Sequence, residues 1–360
     1  MAFAITAENA PFLQRAFRRA AQLAACDPQV GATVSTMAQR SAVIGNGRRR
    51  SIELVQAACA EYATRPFIMS RCDEGPYEPT SYARLWERVV RCASGALQCD
   101  LFRAGDFVGI FGFASADYVV TDLACLYGGA VSVPLRTAMP THELCHVILQ
   151  AGLRCIFCSQ EQLPRLAAVL PSCPGVQSIV VIDGFAAPLT PAAVRTVLLS
   201  DLEDVGGSHS ISPVLPPGGD TLVSLCYTSG STALPKGAML TEQVWQHTFT
   251  GAMFTSYPDL PGITFGYTPL SHIAGRNNTY RELHRGGVMY LARKSDMSTL
   301  FDDIKLARPL YFMAVPRLTE MVLQRFQAAC VRCGVGEEGP GRAEILGELS
   351  GLFGERLCLI

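Results

Sequence analysis

Long hydrophobic runs are missing from this chain. No stretch of about 18 uncharged apolar residues, the length a membrane helix needs, occurs in its 360 residues. The best stretch, Tyr118 to Leu135, is broken by Asp122 and by the pair Gly128-Gly129, so no membrane span is expected. An excess of charge is missing too. Thirty Lys and Arg stand against 31 Asp and Glu, which leaves no global field to draw nucleic acid or an anionic surface. The short basic run Arg48-Arg49-Arg50 fits a solvated turn. The N-terminus lacks the early basic region of a secretory signal, and Arg15, Arg18 and Arg19 fall inside an amphipathic segment instead. Without such a signal, the 14 cysteines are expected to be reduced thiols of a cytoplasmic protein rather than a disulfide framework. Cys125, Cys226 and Cys358 lie in apolar runs, where cysteine behaves as a small hydrophobe. Internal repeats, low-complexity tracts and a G-x-G-x-x-G nucleotide fingerprint are absent as well.

What is present is a large apolar fraction, 49%, enough for a sizeable core in two or three domains. Pro11 can start a helix with Leu13, Phe17, Ala20 and Ala24 on its apolar face, ending at Asp27-Pro28, and a second helix is expected over Ile52 to Ala63. Strands are then predicted at Phe107–Phe113, Val131–Leu135, Cys155–Cys158 and Ile179–Ile182, separated by helices that Ser115 and Thr141 can cap. Residues 184–220, rich in Pro, Gly and Ser, are expected to link two units. Alternation resumes with strands Leu222–Tyr227, Phe265–Leu270, Val288–Leu291 and Leu310–Val315 and with helices from Thr241, from Ser298 and over Arg317–Cys333. Gly334–Gly341 is a turn-rich break, and Leu357–Ile360 is strand-like. Continuous Val/Ile-rich runs between helices indicate an α/β fold with mostly parallel sheets covered on both faces.

The strand Leu222–Tyr227 opens into Thr228-Ser229-Gly230-Ser231-Thr232-Ala233-Leu234-Pro235-Lys236-Gly237. Four hydroxyls, two glycines and a lysine suit a polyphosphate: hydroxyls and backbone N–H groups donate to phosphate oxygens, glycine admits close approach, and lysine adds a mobile charge. The order Pro-Lys-Gly is not that of a Walker A loop, and Pro235 removes an N–H from any cradle of that kind.

This segment resembles the phosphate-binding motif of the adenylate-forming superfamily, which includes acyl-CoA synthetases, luciferases, peptide-synthetase adenylation domains and carboxylic acid reductases. Tyr267-Thr-Pro-Leu-Ser-His-Ile-Ala-Gly-Arg276 resembles the next motif of that family in the form associated with carboxylic acid reductases, as do Asp122–Leu135, Lys294–Phe301 and Ala314–Leu318. The resemblance spans residues 50 to 333. It implies two doubly wound, mostly parallel α/β subdomains (51–217 and 218–360, the second incomplete) after an N-terminal helical extension (1–50). It further implies that Thr228, Ser229, Gly230, Ser231, Thr232, Lys236 and Gly237 contact ATP phosphates, with Thr232 near Mg²⁺, and that Lys236 and His272 are catalytic. Arg276 and Arg317 could pair with a substrate carboxylate or form structural ion pairs. Where the family has glycine this chain has Ala233. If that position needs φ > 0, alanine costs about 1 kcal/mol, and Ala233→Gly is expected to tighten ATP binding in a titration.

Two metal-like patterns are set aside. His142-Glu143-Leu-Cys-His146 matches HExxH but has no third ligand at the expected spacing, and Cys155-x-x-Cys158 and Cys330-x-x-Cys333 are far apart in the chain.

By the resemblance, a small-molecule carboxylic acid would attack the α-phosphorus of ATP to give an acyl-adenylate and pyrophosphate. In reductases a carrier-domain phosphopantetheine then takes the acyl group, and an NADPH-dependent domain releases the aldehyde. Neither the carrier motif nor the family's later adenine, ribose and lid motifs occur within these residues, so carrier and reductase domains are expected in a longer chain and this one is expected to be a weak catalyst. An acyl-CoA synthetase fragment and a non-catalytic nucleotide- or partner-binding relative are the alternatives.

Overall fold

The structure is a computed structural model, and it describes residues 10–37, 49–72, 74–184, 193–228, 234–250, 262–336, 339 and 341–358. Two sheets organise it. In the larger, seven strands run in the order β7-β6-β5-β3-β4-β8-β9. These are β3 (Phe107–Phe111), β4 (Val131–Leu135), β5 (Cys155–Cys158), β6 (Ser178–Val181), β7 (Arg195–Leu198), β8 (Leu222–Thr228) and β9 (Lys236–Thr241). All neighbours are parallel except the β8–β9 hairpin at one edge. The smaller sheet has the order β10-β11-β1-β2, with β1 (Pro66–Ser70), β2 (Glu78–Ser81), β10 (Ile263–Gly266) and β11 (Val288–Leu291). Again only the edge pair β1–β2 is antiparallel. Each sheet draws strands from both sides of residue 217.

Strands buried on both faces must be apolar at every position, and β5 shows the consequence. Cys155 and Phe157 enter the core beneath the helices on one face, while Ile156 and Cys158 enter the core on the other. The first core lies between the sheets. It is filled from helices α3 (Ser51–Glu61), α4 (Tyr82–Gln98), α5 (Ala116–Tyr127), α8 (Leu199–Ser208), α9 (Glu242–Thr250) and α10 (Ile273–Arg285). The second core packs α6 (Thr141–Gln150) and α7 (Leu163–Val169) on the opposite face. A third covers the outer face of the small sheet, with Val30 of α2 (Pro28–Met37), residues of α11 (Leu300–Ala307) and α12 (Pro316–Cys333), and Phe353 behind α13 (Arg342–Ser350). The N-terminal helix α1 (Ala10–Cys26) runs into α2, and the turn between them is held by Asp27 in an ion pair with Arg356 at 2.6 Å.

Close helix contact accounts for two glycines. A Cβ on Gly95 of α4 would lie 2.0 Å from Leu202 O, and one on Gly206 of α8 would lie 1.9 Å from Arg91 O, so these helices touch backbone to backbone. Ser115 caps α5 as its sequence predicts, its Oγ accepting from Tyr118 N at 3.0 Å.

The structure corrects several expectations. The 184–220 stretch contains β7 and α8; β7 is a four-residue edge strand with an exposed Arg195, too short for a periodic signal. Thr141 opens α6 but makes no side-chain cap, and Pro140 occupies the cap position. The Phe265–Leu270 strand is shifted to Ile263–Gly266, because Pro269 begins the turn into α10. Leu310–Val315 is not a strand and forms only an isolated bridge between Tyr311 and Thr264. Strands β1, β2 and β9 and helix α13 carry no clear periodicity and were not anticipated. No described helix is long and apolar enough to cross a membrane.

Candidate functional site

In an open α/β sheet, ligands gather beyond the carboxyl ends of the strands. At that edge of both sheets lies a cleft of about 420 Å³. Arg136, Thr137 and Ala138 reach it from the end of β4. Tyr267, Thr268, Pro269, Ser271 and His272 reach it after β10, Ser295 and Met297 after β11, and Val315 and Arg317 at the start of α12. Phe113, beyond β3, and Ala274 complete the wall. Segments widely separated in sequence therefore converge, among them three of those that resemble carboxylic acid reductases: Tyr267–Arg276, Lys294–Phe301 and Ala314–Leu318. No Asp or Glu lines the cleft, so its cations face an anionic guest without internal competition on the wall, apart from Arg136, which Glu143 holds at 3.2 Å.

Several contacts hold the cleft in shape. The Tyr267 hydroxyl donates to Met313 O at 2.8 Å and accepts from Val315 N at 3.0 Å, joining two walls. Burial pushes its phenol above the usual range, so it remains a neutral donor. Gly275 lets α10 close over the preceding turn; a Cβ there would sit 2.5 Å from Pro269 O. Met297 adopts φ 61°, a left-handed conformation uncommon outside glycine. Ser295 donates to Glu161 at 2.8 Å.

His272 is the residue before α10 and caps it, Nδ1 accepting from Ala274 N at 3.2 Å. In that geometry the ring proton sits on Nε2, the nitrogen left for a guest oxygen.

The segment expected to contact phosphates joins the two strands of a hairpin. Thr228 ends β8 and Lys236 starts β9, and the two are paired partners at its mouth, both exposed. Ser229, Gly230, Ser231, Thr232 and Ala233 lie outside the described residues. Because β8 runs parallel beside β4, the hairpin opens at the same carboxyl edge that carries Arg136. A Cβ on Gly237 would lie 2.7 Å from Leu225 Cδ1, so any larger residue there must displace that side chain. Among the described residues the Lys236 side chain makes no hydrogen bond or ion pair, with His272 or with any other group.

Arg276, in contrast, points away from the cleft into the core and is wholly buried. Its guanidinium meets Asp122 through Nη2 at 2.5 Å and Nε at 3.1 Å, Ser224 Oγ at 2.7 Å and Ser132 Oγ at 2.9 Å, and it lies 4.3 Å over the Trp245 ring. Tyr280 donates to the same carboxylate. Burial by itself would lower the pKa of Arg276, but Asp122 reverses the shift and raises it. Arg276 is thus a structural ion pair across α5, β4, β8 and α10, and Arg317, exposed on the cleft, is the arginine still placed for a guest anion.

Among the described residues no group of His, Cys, Asp and Glu could hold a metal ion. Glu143 of the HExxH pattern is engaged by Arg136, and Cys155 and Cys158 face different cores. Arg136, Met297 and Phe113 were not singled out from sequence. Only the position of Arg136 directly after β4 could have flagged it.

Two mostly parallel sheets, with a hydroxyl- and lysine-bearing hairpin at the carboxyl edge of the larger one, place the chain in the α/β class. A profile of the AMP-binding enzyme family matches residues 55–355, and the chain belongs to that family. It is 32% identical over 387 aligned positions to a carboxylic acid reductase of Segniliparus rugosus, covering 96% of this chain and 32% of that protein. The solved adenylation domain of the Segniliparus rugosus carboxylic acid reductase, in complex with AMP and a co-purified carboxylic acid, superposes with a TM-score of 0.84 at 29% identity, covering 96% of this chain and 60% of that one. A peroxisomal long chain acyl-CoA synthetase of Arabidopsis thaliana is 30% identical over 64% of this chain and 33% of its own length. The chain thus spans about a third of the curated relatives it matches.

Proposed function

We propose that this chain binds ATP and a small carboxylic acid for activation of the acid as an acyl-adenylate, the first step of carboxylic acid reduction. The observation that supports it is the shared edge: an acid-free cleft with Arg317, Arg136 and His272, and the Thr228–Lys236 hairpin, open on the same side of the sheets. The acid would lie with its tail among Phe113, Tyr267, Met297 and Val315 and its carboxylate toward His272. There Nε2–H can hydrogen-bond one oxygen and leave the other to attack the α-phosphorus. Thr228 and Lys236, with the hydroxyls of Ser229, Ser231 and Thr232, would hold the phosphates and neutralise charge growing on the departing pyrophosphate. Magnesium enters with ATP as its complex, and Thr232 is its expected contact. The reductase reading is favoured over the acyl-CoA ligase reading by the extent of the likeness, 88–96% of the chain against 59–76%.

The test is calorimetric binding of ATP and of a panel of acids to the 360-residue chain, together with carboxylate-dependent ATP–pyrophosphate exchange. The expected result is nucleotide binding that Lys236→Ala weakens at least tenfold, with slow exchange. Failure to bind any nucleotide would sink the proposal. Fast exchange abolished by Lys236→Ala would overturn only the expectation of weak catalysis.

A further inference from the structure

We propose that Cys145 and Cys173 form an oxidation site, a thiol pair that a hydroperoxide converts into a disulfide tying α6 to the segment behind α7. Cys145 lies on α6, and Cys173 follows the short 3-10 turn Leu170–Ser172, 28 positions later. Their Sγ atoms are 3.5 Å apart. Among the described residues no other two thiols are hydrogen-bonded to each other.

Access to the pair is asymmetric. Cys145 is partly exposed, whereas Cys173 is 1% exposed, set among Leu144, Val169, Leu170 and Val176. Solvent oxidant therefore meets Cys145 first. The thiolate of Cys145 attacks a peroxide oxygen; the O–O bond breaks, an S–O bond forms, and the departing hydroxide leaves as water after taking a proton. The resulting sulfenic acid faces the Cys173 sulfur, which attacks the oxidised sulfur. An S–S bond forms, the S–O bond breaks, and the leaving hydroxide takes the Cys173 proton as a second water. Two thiols are oxidised and one peroxide is reduced. Burial, with the neighbouring Cys145, pushes the Cys173 thiol up to about 12, so in the reduced chain it stays protonated and acts as the resolving rather than the attacking group.

Closing to a disulfide bond of about 2.05 Å asks the sulfurs to approach by about 1.5 Å. That movement is small for a helix flank and a turn, both of which sit at the rim of the second core. The elements on either side of the pair also touch the segment after β4. Glu143 on α6 holds Arg136, and Arg165 on α7 donates to the carbonyls of Thr137 and Met139. The bond would thus tie α6 to the turn that follows α7, and both helices brace the Arg136–Ala138 wall.

The test is peptide mapping of the native 360-residue chain after exposure to a small excess of hydrogen peroxide, with alkylation of the remaining thiols under denaturing conditions. The expected product is a peptide pair bridged through Cys145 and Cys173, two hydrogens lighter than its reduced parts and cleaved by dithiothreitol, formed before either sulfur reaches the sulfinic state. Cys173→Ser should instead leave a Cys145 sulfenic acid that a dimedone probe traps. Recovery of both cysteines fully alkylated, bridging of Cys145 to a different thiol, or sulfinic Cys145 without a bridge would each overturn the proposal. The wild-type map decides the matter even if the serine variant does not fold.

Discussion

Two cations in family-like segments end in opposite surroundings. Lys236 stands exposed at the mouth of a hairpin, with no internal partner among the described residues. Arg276, also within a segment that resembles the family, is wholly buried and answered by Asp122, two serine hydroxyls and an indole face. The difference separates two uses of positive charge. A side chain that must neutralise an incoming anion has to remain unspent, whereas one that holds sheet to helix is spent within the protein. In the low dielectric of the core, Arg276 and Asp122 are each very costly alone and tolerable together.

The largest test of that contrast is Asp122→Ala, which strands a buried guanidinium. It is expected to cost about 3–5 kcal/mol, read as a collapse of the urea midpoint. Adding Arg276→Met should recover most of the loss, because an apolar replacement of the whole pair is often near neutral. A cost under about 1 kcal/mol for Asp122→Ala would break the comparison.

Gly275→Ala comes next. The added Cβ meets Pro269 O at 2.5 Å, so α10 and the Thr268–Pro269 wall must part, at an expected cost of about 1–3 kcal/mol and with weakened acid binding. Unchanged acid affinity would detach that wall from the site.

Lys236→Ala should move stability by no more than about 0.5 kcal/mol, while nucleotide affinity falls. Loss of stability equal to that of Asp122→Ala would show that Lys236 is also spent internally.

The smallest effect concerns Asp183, whose carboxyl is pushed up by burial, opposed by a backbone hydrogen bond from Gln160. Its folded pKa exceeds the unfolded one, so ionisation penalises the fold. The penalty is absent below the unfolded value and complete above the folded value. Asp183→Asn should therefore raise the unfolding midpoint slightly at neutral pH, and the gain should vanish as pH falls below the ordinary carboxylate range.

The central strands other than β1 were legible because burial on both faces demands unbroken apolar runs, and β1 is only partly buried. Val131–Leu135, Cys155–Cys158 and Val288–Leu291 agree residue for residue with the structure. The edge strands β2, β7 and β9 were not legible. Arg195–Leu198 and Lys236–Thr241 need be apolar on one side at most, and a four-residue strand gives periodicity no room. Of the candidate cleft, His272 was legible through the local order of residue types around it. Arg136, Phe113 and Met297 belong to the cleft only because distant strands end together there.

Local sequence alone therefore determined the α/β class and the turn that delivers His272, since each depends on neighbours within a few positions. Tertiary structure alone decided that Arg276 is a core ion pair while Arg317 faces the cleft, and that Cys145 meets Cys173. Burial and partnership depend on which distant segments fold together, and no local pattern records that.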